Sequence, residues 1–360
     1  MGGSNSAKSF LINQYKSETL VKKTYLSDLR GITIAIDASG MIRRAMIHSG
    51  NKKWWLQFIN LMHKFSNHGI KPVIIIDGKP ISEKQDSIDD RKKQQDKIKK
   101  KLNDTMENCR LDNDNDNNEN ILQISKYLKQ IISIKSIDIE ICKQICNLLG
   151  ILCIHVKSQE ADDIFHYLIN NGIVDSVYSE DNDMFRRGCN LVHFGLDYKL
   201  DTLYEFKYDE CLYKMNVTPE QFNNAYDASG TDFNDNLEYC KFKENIELMK
   251  EYGSIENVIA NLNKINLGKT SRIIKVPKRF DFIKTREIFN REISQIVISQ
   301  IHDFVYNFKF ISSKVKLNYI QYSQKLFSEI EIVCDFDIKE CYKYKKQVKE
   351  YYKNVYDVYI

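Results

Sequence analysis

No stretch of this 360-residue chain approaches the roughly 18 uninterrupted apolar residues of a membrane span, and the first thirty residues lack the apolar core of a secretory signal. A protein that stays inside a cell, in no membrane, is the expectation. The nine cysteines are odd in number, spread out, and contain no Cys-x-x-Cys pair, which argues against both a disulfide framework and a zinc knuckle. Cys142 and Cys146, one helical turn apart, read as reduced, packed thiols. The seven histidines show no spacing that suggests a ligand pair, and no internal repeat of fixed period is present. With 42% hydrophobic residues the chain can still bury a large core, as one domain or a main domain with an appendage.

What the sequence does contain is acid at the ends of apolar runs. Gly31 to Asp37 (GITIAID) and Lys71 to Asp77 (KPVIIID) have the β-branched, nearly unbroken apolar character of strands covered on both faces. Met41 to Asn67 between them reads as helical, with Trp54, Trp55, Phe58, Ile59, Met62 and Phe65 forming an apolar face. Ile151 to Val156, Asp175 to Ser179 and Asn190 to Phe194 supply three more strands, the first two separated by a helix over Ala161 to Asn170. This alternation predicts an α/β fold with a doubly wound parallel sheet whose ligand site lies beyond the strand C-termini.

Asp37, Asp77, Glu160, Asp162, Asp181, Asp183 and Asp232 all fall where such a site would be. Each alone has a plainer explanation, as helix-dipole charge for Glu160 and Asp162 or as turn chemistry for Asp181, Asp183 and Asp232. Gathered at one sheet edge, they would repel one another unless cations sat among them. Hard divalent ions, which prefer oxygen ligands, fit best, and two of them can activate water, orient a phosphate and neutralise a leaving oxygen. No serine, cysteine or histidine nucleophile is then required. A haloacid-type phosphatase would need a second Asp two residues after the first, where Ser39 stands.

The net charge of +4 is modest but uneven. Lys84 to Lys101 is Lys-rich, Lys339 to Lys353 alternates Lys with Tyr, and Lys264 to Arg286 carries eight basic residues, Lys269 and Arg272 among them. Beside an acidic metal cluster, three such runs point to nucleic acid. Asp112 to Asn120 (DNDNDNNEN) resembles the start of a calcium loop, but Asn117 and Gln123 stand where that loop needs Gly and Glu, so it reads as a flexible insertion tip.

In order along residues 25 to 260, Ile-Asp37-Ala-Ser, Asp77-Gly-Lys-Pro, Gln-Glu160-Ala-Asp162-Asp, Ser-Glu-Asp181-Asn-Asp183 and Ser-Gly-Thr-Asp232-Phe resemble the metal-binding elements of flap endonucleases and XPG-type structure-specific 5′ nucleases. The resemblance implies a PIN-like fold with a helical arch insertion over about 80–135, inside a nuclease region spanning 1–235. It implies a partly degenerate helix-two-turn-helix over 236–290; residues 291–360 form a helical region of unknown role. It also implies a two-metal endo- or exonuclease using Mg²⁺ or Mn²⁺ on DNA with 5′ flaps, branches or ends, in replication, recombination or repair. Lys84 and Arg91 match the basic pair that contacts the scissile phosphate, Gly2 the residue that reaches toward the active site, and Lys92 and Lys93 the arch. Gly2 also fits an N-myristoylation pattern.

Departures from the family pattern matter equally. Arg43 stands where an aromatic residue often stacks on a flap base. Tyr239-Cys240-Lys241-Phe242-Lys243 replaces the Gly-Ile-Gly-Pro turn, and Lys241 and Lys243 would substitute side-chain charge for amide contacts, giving a looser, more salt-dependent grip on duplex. No sliding-clamp docking motif is present, and a monomer is expected. The rival reading is a non-catalytic DNA-binding relative, against which the retained acids and basic pair count.

Overall fold

In the computed structural model of the chain, residues 3–15, 18–49, 53–111 and 118–308 are described. Among them, residues 3–93 and 133–308 form one compact unit and residues 94–132 fall in a second. The predicted strands at residues 31–37, 71–77, 151–156, 175–179 and 190–194 are all present, the first four trimmed at their ends and the last running on to Asp197.

The first unit opens with helix α1 (Gly3–Ile12) and a small ribbon of β1 (Gln14–Tyr15) and β2 (Glu18–Thr19). There follow β3 (Lys22–Tyr25), β4 (Thr33–Asp37), α2 (Ala38–Ser49), α3 (Trp54–Asn67) and β5 (Lys71–Ile75). Helix α4 (Gln85–Leu111) begins in this unit and runs on into the second, which also holds α5 (Asn118–Ile131). The chain then continues through α6 (Ser136–Leu149), β6 (Leu152–Ile154), α7 (Ala161–Asn170), β7 (Ser176–Tyr178), α8 (Asp183–Arg186), β8 (Leu191–Asp197) and β9 (Thr202–Lys207). Seven strands form one sheet in the order β3-β9-β8-β7-β4-β5-β6.

Strands β8, β7, β4, β5 and β6 are parallel, whereas β9 and β3 add an antiparallel edge that the apolar-run pattern did not reveal. That edge is polar, reading Lys-Lys-Thr-Tyr in β3, which is how exposed sheet margins avoid pairing with other chains. The sheet is therefore mixed rather than wholly parallel. Successive strands leave β4 in opposite directions, β5 and β6 to one side, β7 and β8 to the other. The crevice at that switch point lies beyond Asp37 and the end of β7.

Strand alternation distributes the core. Ala35, Val73, Ile75, Ile154 and Val177 share a cluster with Ile164, Phe165 and Leu168 of α7, while the equally buried Ile34 and Ile36 alternate with Ala35 along β4. The expected helix over residues 41–67 is two helices. Lys53 adopts φ 49° before α3, and the Ser-Gly-Asn of residues 49–51 is a sequence that breaks helices. The apolar face assigned to residues 54–65 is buried as expected. Cys142 and Cys146 are free and buried.

From α9 (Tyr208–Met215) onward the first unit is helical: α10 (Pro219–Ala228), α11 (Phe242–Tyr252), α12 (Ile255–Ala260), α13 (Leu262–Ile265), α14 (Phe282–Phe289) and α15 (Gln295–Asn307). Thr218 and Gln221 form a capping box with Pro219 as the first residue of α10. Phe242 joins α11 to α10 through Phe222 and to α1 through Phe10, with ring centroids 5.7 and 5.3 Å apart. The segment after α10 is pinned by the Glu238 to Lys275 bridge and by the Asp235 amide donating to the Arg279 carbonyl at 2.8 Å.

Gly2, residues 112–117 of the acidic insertion, and the Lys/Tyr run of 339–353 lie outside the described residues. No helix among the described residues is long and apolar enough to cross a membrane.

Candidate active site

Asp37 ends the central strand β4, and the chain turns at once into α2. The Ser39 amide donates to Asp37 Oδ1 at 2.9 Å. A methyl group at Gly40 would lie 2.7 Å from Asp37 Oδ2, so the absence of a side chain there lets the carboxylate occupy its place. Asp77 lies two residues beyond β5 and accepts from the Ala161 amide at 3.0 Å, so it caps the first turn of α7 across the sheet edge. Its neighbour Gly78 is more constrained still. A Cβ there would meet the carbonyl oxygens of Val156 and Gln159 at 2.4 Å, and the Gly78 and Lys79 amides bond to the Gln159 and Lys157 carbonyls at 2.9 and 2.8 Å.

Glu160 stands at the N-cap of α7, with Asp162 and Asp163 in its first turn. Beyond β7 the chain tightens rather than extending. The Ser179 hydroxyl accepts from the Asp181 amide at 3.0 Å, and Asp181 accepts from the Asp183 amide at 3.1 Å as α8 begins. That turn brings carboxylate oxygens of Asp162, Asp181 and Asp183 all within 4.8 Å of one another. Tyr226 of α10 donates to Asp183 Oδ1 at 3.2 Å from the buried side.

The electrostatics mark this as a place built for positive charge. Burial pushes Asp37 up to about 7, with Asp77 and Asp181 adding to the shift and the Gly40 and Ser39 amides opposing it. Burial and Asp181 push Asp183 up to about 8 against the pull of Lys84, and raise Asp162 well above the usual carboxylate range. Hard oxygen donors that stay protonated only for want of a counter-charge suit a divalent cation.

Two basic side chains reach this cluster from the start of α4. Lys84, in the 3₁₀ turn Ser82–Lys84 rather than in the helix proper, places Nζ 2.8 Å from Glu160 Oε2 and 5.4 Å from the Phe233 ring centre. Burial opposes its charge, but Asp162, Glu160 and Asp183 outweigh it and hold the ammonium well above the usual lysine range. Arg91 donates to both oxygens of Asp232 at 2.5 Å. Ion pairs Glu83 to Arg291 at 3.0 Å and Asp90 to Arg279 at 2.8 Å fasten the same stretch to the segments on either side of α14.

Not every expected residue converges here. Arg43 is exposed on α2, and the neighbouring Arg44 points to Glu180 (3.1 Å) and the Leu196 carbonyl (2.6 Å). Glu180 faces away from the cluster, held by Lys8 at 2.6 Å and Tyr178 at 2.6 Å. Lys92 and Lys93 are exposed on α4, and Lys241, Lys243, Lys269 and Arg272 on the C-terminal part of the unit. Tyr239 stands in the turn that lacks the expected glycines, yet it adopts φ 60°, a backbone conformation glycine normally supplies. The side chain at that position is 64% exposed. The turn thus keeps a left-handed residue without the residue type that favours it. Arginines 186 and 187, which bear on the acids from behind, were missed; a basic pair one turn after Asp183 was their only signal.

Residues 8–98 match the XPG N-terminal domain family. The chain is similar to Flap endonuclease 1-B of Oryza sativa subsp. indica, 26% identical over 297 residues that cover 78% of this chain and 67% of that protein. It is also similar to Flap endonuclease 1 of Enterocytozoon bieneusi, 27% identical over 294 residues covering 78% and 75%. Among solved structures, the catalytic core of Rad2 in complex with DNA substrate matches with a TM-score of 0.53 at 15% identity, over 83% of this chain and 80% of that one. Human GEN1 in complex with Holliday junction DNA matches with a TM-score of 0.52 at 15% identity, over 85% and 73%. These structural likenesses share the α/β nuclease fold.

Proposed function

We propose that the chain, whose residues 8–98 match the XPG N-terminal domain family and which is similar to flap endonucleases, is a structure-specific 5′ nuclease that hydrolyses phosphodiesters in DNA with 5′ flaps, branches or ends. The observation that carries this reading is the meeting of Asp162, Asp181 and Asp183 within 4.8 Å, with Lys84 and Arg91 reaching acids of the same edge. Asp37, Asp77, Glu160 and Asp232 complete the donor set, directly or through water. Two Mg²⁺ or Mn²⁺ ions bound there would lower the pKa of a water and neutralise charge on the phosphate.

The chain's own residues do the rest. Lys84 and Arg91, paired with Glu160 and Asp232 here, would face the scissile phosphate with those carboxylates serving as metal ligands, and would offset charge as it builds in the transition state. The Ser39 and Gly40 amides and the Ala161 amide keep Asp37 and Asp77 aimed at the crevice. Helix α4 and the insertion that follows it act as the arch, with Lys92 and Lys93 on the path of a single strand. Residues 236–290, with Lys241, Lys243, Lys269 and Arg272, hold the duplex.

The test is a panel of flap, nicked, Y-shaped and four-way DNA incubated with the purified protein and Mg²⁺, with EDTA as control. Cleavage near the junction of 5′-flap or branched DNA, lost in EDTA, is expected. Binding without cleavage in either Mg²⁺ or Mn²⁺ would overturn the reading.

A further inference from the structure

Two consecutive arginines close the short helix that Asp183 opens, and their side chains are only 2% and 5% exposed. Each grips a different neighbour. Arg186 donates from Nε and Nη2 to Asp227 at 2.7 and 3.0 Å, tying α8 to α10, the helix that leads to Asp232. Arg187 Nη1 lies 2.5 Å from Asp163 Oδ1, tying α8 to α7 one residue beyond Asp162. The side-chain amide of Gln159 also donates to Asp163.

One aromatic ring closes both pairs. Phe289 lies under the two guanidiniums at 4.9 and 5.3 Å and meets Phe233, the residue after Asp232, edge-on at 5.6 Å. The three chain segments that supply Glu160 and Asp162, Asp181 and Asp183, and Asp232 are therefore joined behind the acid cluster. The joint is made of charge buried on the side away from the crevice.

Buried ion pairs are poor providers of net stability, because desolvation consumes most of the Coulomb gain, and replacing both partners together is often neutral. A fixed geometry is the better explanation for keeping one. We infer that Arg187, with Asp163, is a positioning residue that sets the spacing between Asp162 and the Asp181–Asp183 turn, and through it the affinity of the cluster for divalent ions. This rests on the metal-site reading given above. Arg187 touches none of the reacting atoms; it acts through α7 and α8.

The test compares Arg187→Met, Asp163→Asn and the double variant in the full chain, following Mn²⁺ uptake by electron paramagnetic resonance, thermal unfolding in EDTA, and cleavage. Each single change leaves a buried charge without its counter-charge and lowers the unfolding temperature, and the double variant regains most of that loss. If the pair positions the acids, the double variant still binds Mn²⁺ roughly tenfold more weakly, and its kcat at limiting Mn²⁺ falls while KM for DNA holds. Val258→Ala, a core change on α12, controls for general destabilisation and keeps wild-type Mn²⁺ affinity. A double variant that binds Mn²⁺ like wild type overturns the inference and leaves the metal site standing. Wild-type protein that takes up no Mn²⁺ overturns the metal-site reading and this inference with it.

Discussion

The ammonium of Lys84 sits 2.8 Å from the Glu160 carboxylate, with the two side chains 15% and 8% exposed, so a lysine at the mouth of α4 stands in the acid cluster as its counter-charge. Arg91 makes a similar contact with Asp232, but with its own side chain 54% exposed. The two basic residues should therefore differ in what their loss costs. Lys84→Met should lower stability in EDTA by about 3 kcal/mol, because it strands a buried carboxylate among like charges. Arg91→Met should change stability by less than about 1 kcal/mol. Both should cut kcat by about a hundredfold. Denaturant unfolding and single-turnover cleavage of a flap substrate check the contrast.

Asp181 is the most exposed of the three clustered acids and shares the tight turn after β7 with Asp183. Asp181→Ala should abolish cleavage while DNA binding is preserved, as measured by gel-shift at low salt. Turnover like that of wild type would sink the metal assignment.

Gly40 offers a subtler probe. A methyl group 2.7 Å from Asp37 Oδ2 must push the carboxylate aside without touching the sheet. Gly40→Ala should reduce cleavage by about tenfold at limiting Mg²⁺, with partial recovery at high Mg²⁺, and an unfolding temperature within a few degrees of wild type. Metal titration of the rate distinguishes this from a folding defect.

The raised carboxyls give the metal-free protein a pH dependence of known sign. Asp37 and Asp183 hold their protons to about 7 and about 8 in the folded chain, against a reference value of 3.8. Their contribution to stability is complete below about 3.8 and is lost as pH rises through those folded values. Metal-free protein should thus lose stability between about pH 4 and 8. Mn²⁺ replaces those protons, so the rise in unfolding temperature on adding it should be larger at pH 8 than at pH 6. An equal rise at both, by calorimetry, would contradict the shifts.

Exposed Lys241 and Lys243 follow the turn in which Tyr239 takes φ 60°. If they supply the duplex contact, the double alanine variant should lower the slope of log K against log salt by about 2. Tyr239→Gly should leave stability within about 1 kcal/mol, whereas β-branched Tyr239→Val should cost about 1–2 kcal/mol. Fluorescence anisotropy across a salt series and thermal melts read the two effects.

The parallel strands and their terminal acids were legible because each is a local event: an apolar, β-branched run and then a carboxylate. Asp37 and Asp77 needed no knowledge of the fold to be noticed. The edge strand β3 was not legible, since it is polar and buries only one of its four residues, and β9 beside it was not because Thr202, Tyr204 and Glu205 interrupt its apolar residues. Arg187 and Asp163 were invisible as a pair for another reason. Their meeting depends on how α7 and α8 pack, and nothing in either segment names the other. The turn at Tyr239 shows the opposite failure. A missing glycine suggested a lost conformation, but neighbours fixed by the Glu238 to Lys275 bridge and by buried Cys240 hold the backbone there regardless.

The crowding around Gly78 bears on how the site can change shape. With main-chain oxygens of 156, 157 and 159 packed where a side chain would be, the segment carrying Asp77 and the loop leading to Glu160 are joined backbone to backbone. Those two acids cannot drift apart without breaking that joint, so the sheet side of the crevice behaves as an anvil. Adjustment to differently shaped DNA then falls to the opposite wall, where α4 is fastened by ion pairs that solvent and salt can loosen. Variation between relatives in substrate choice is expected to collect in that wall, leaving the anvil alone.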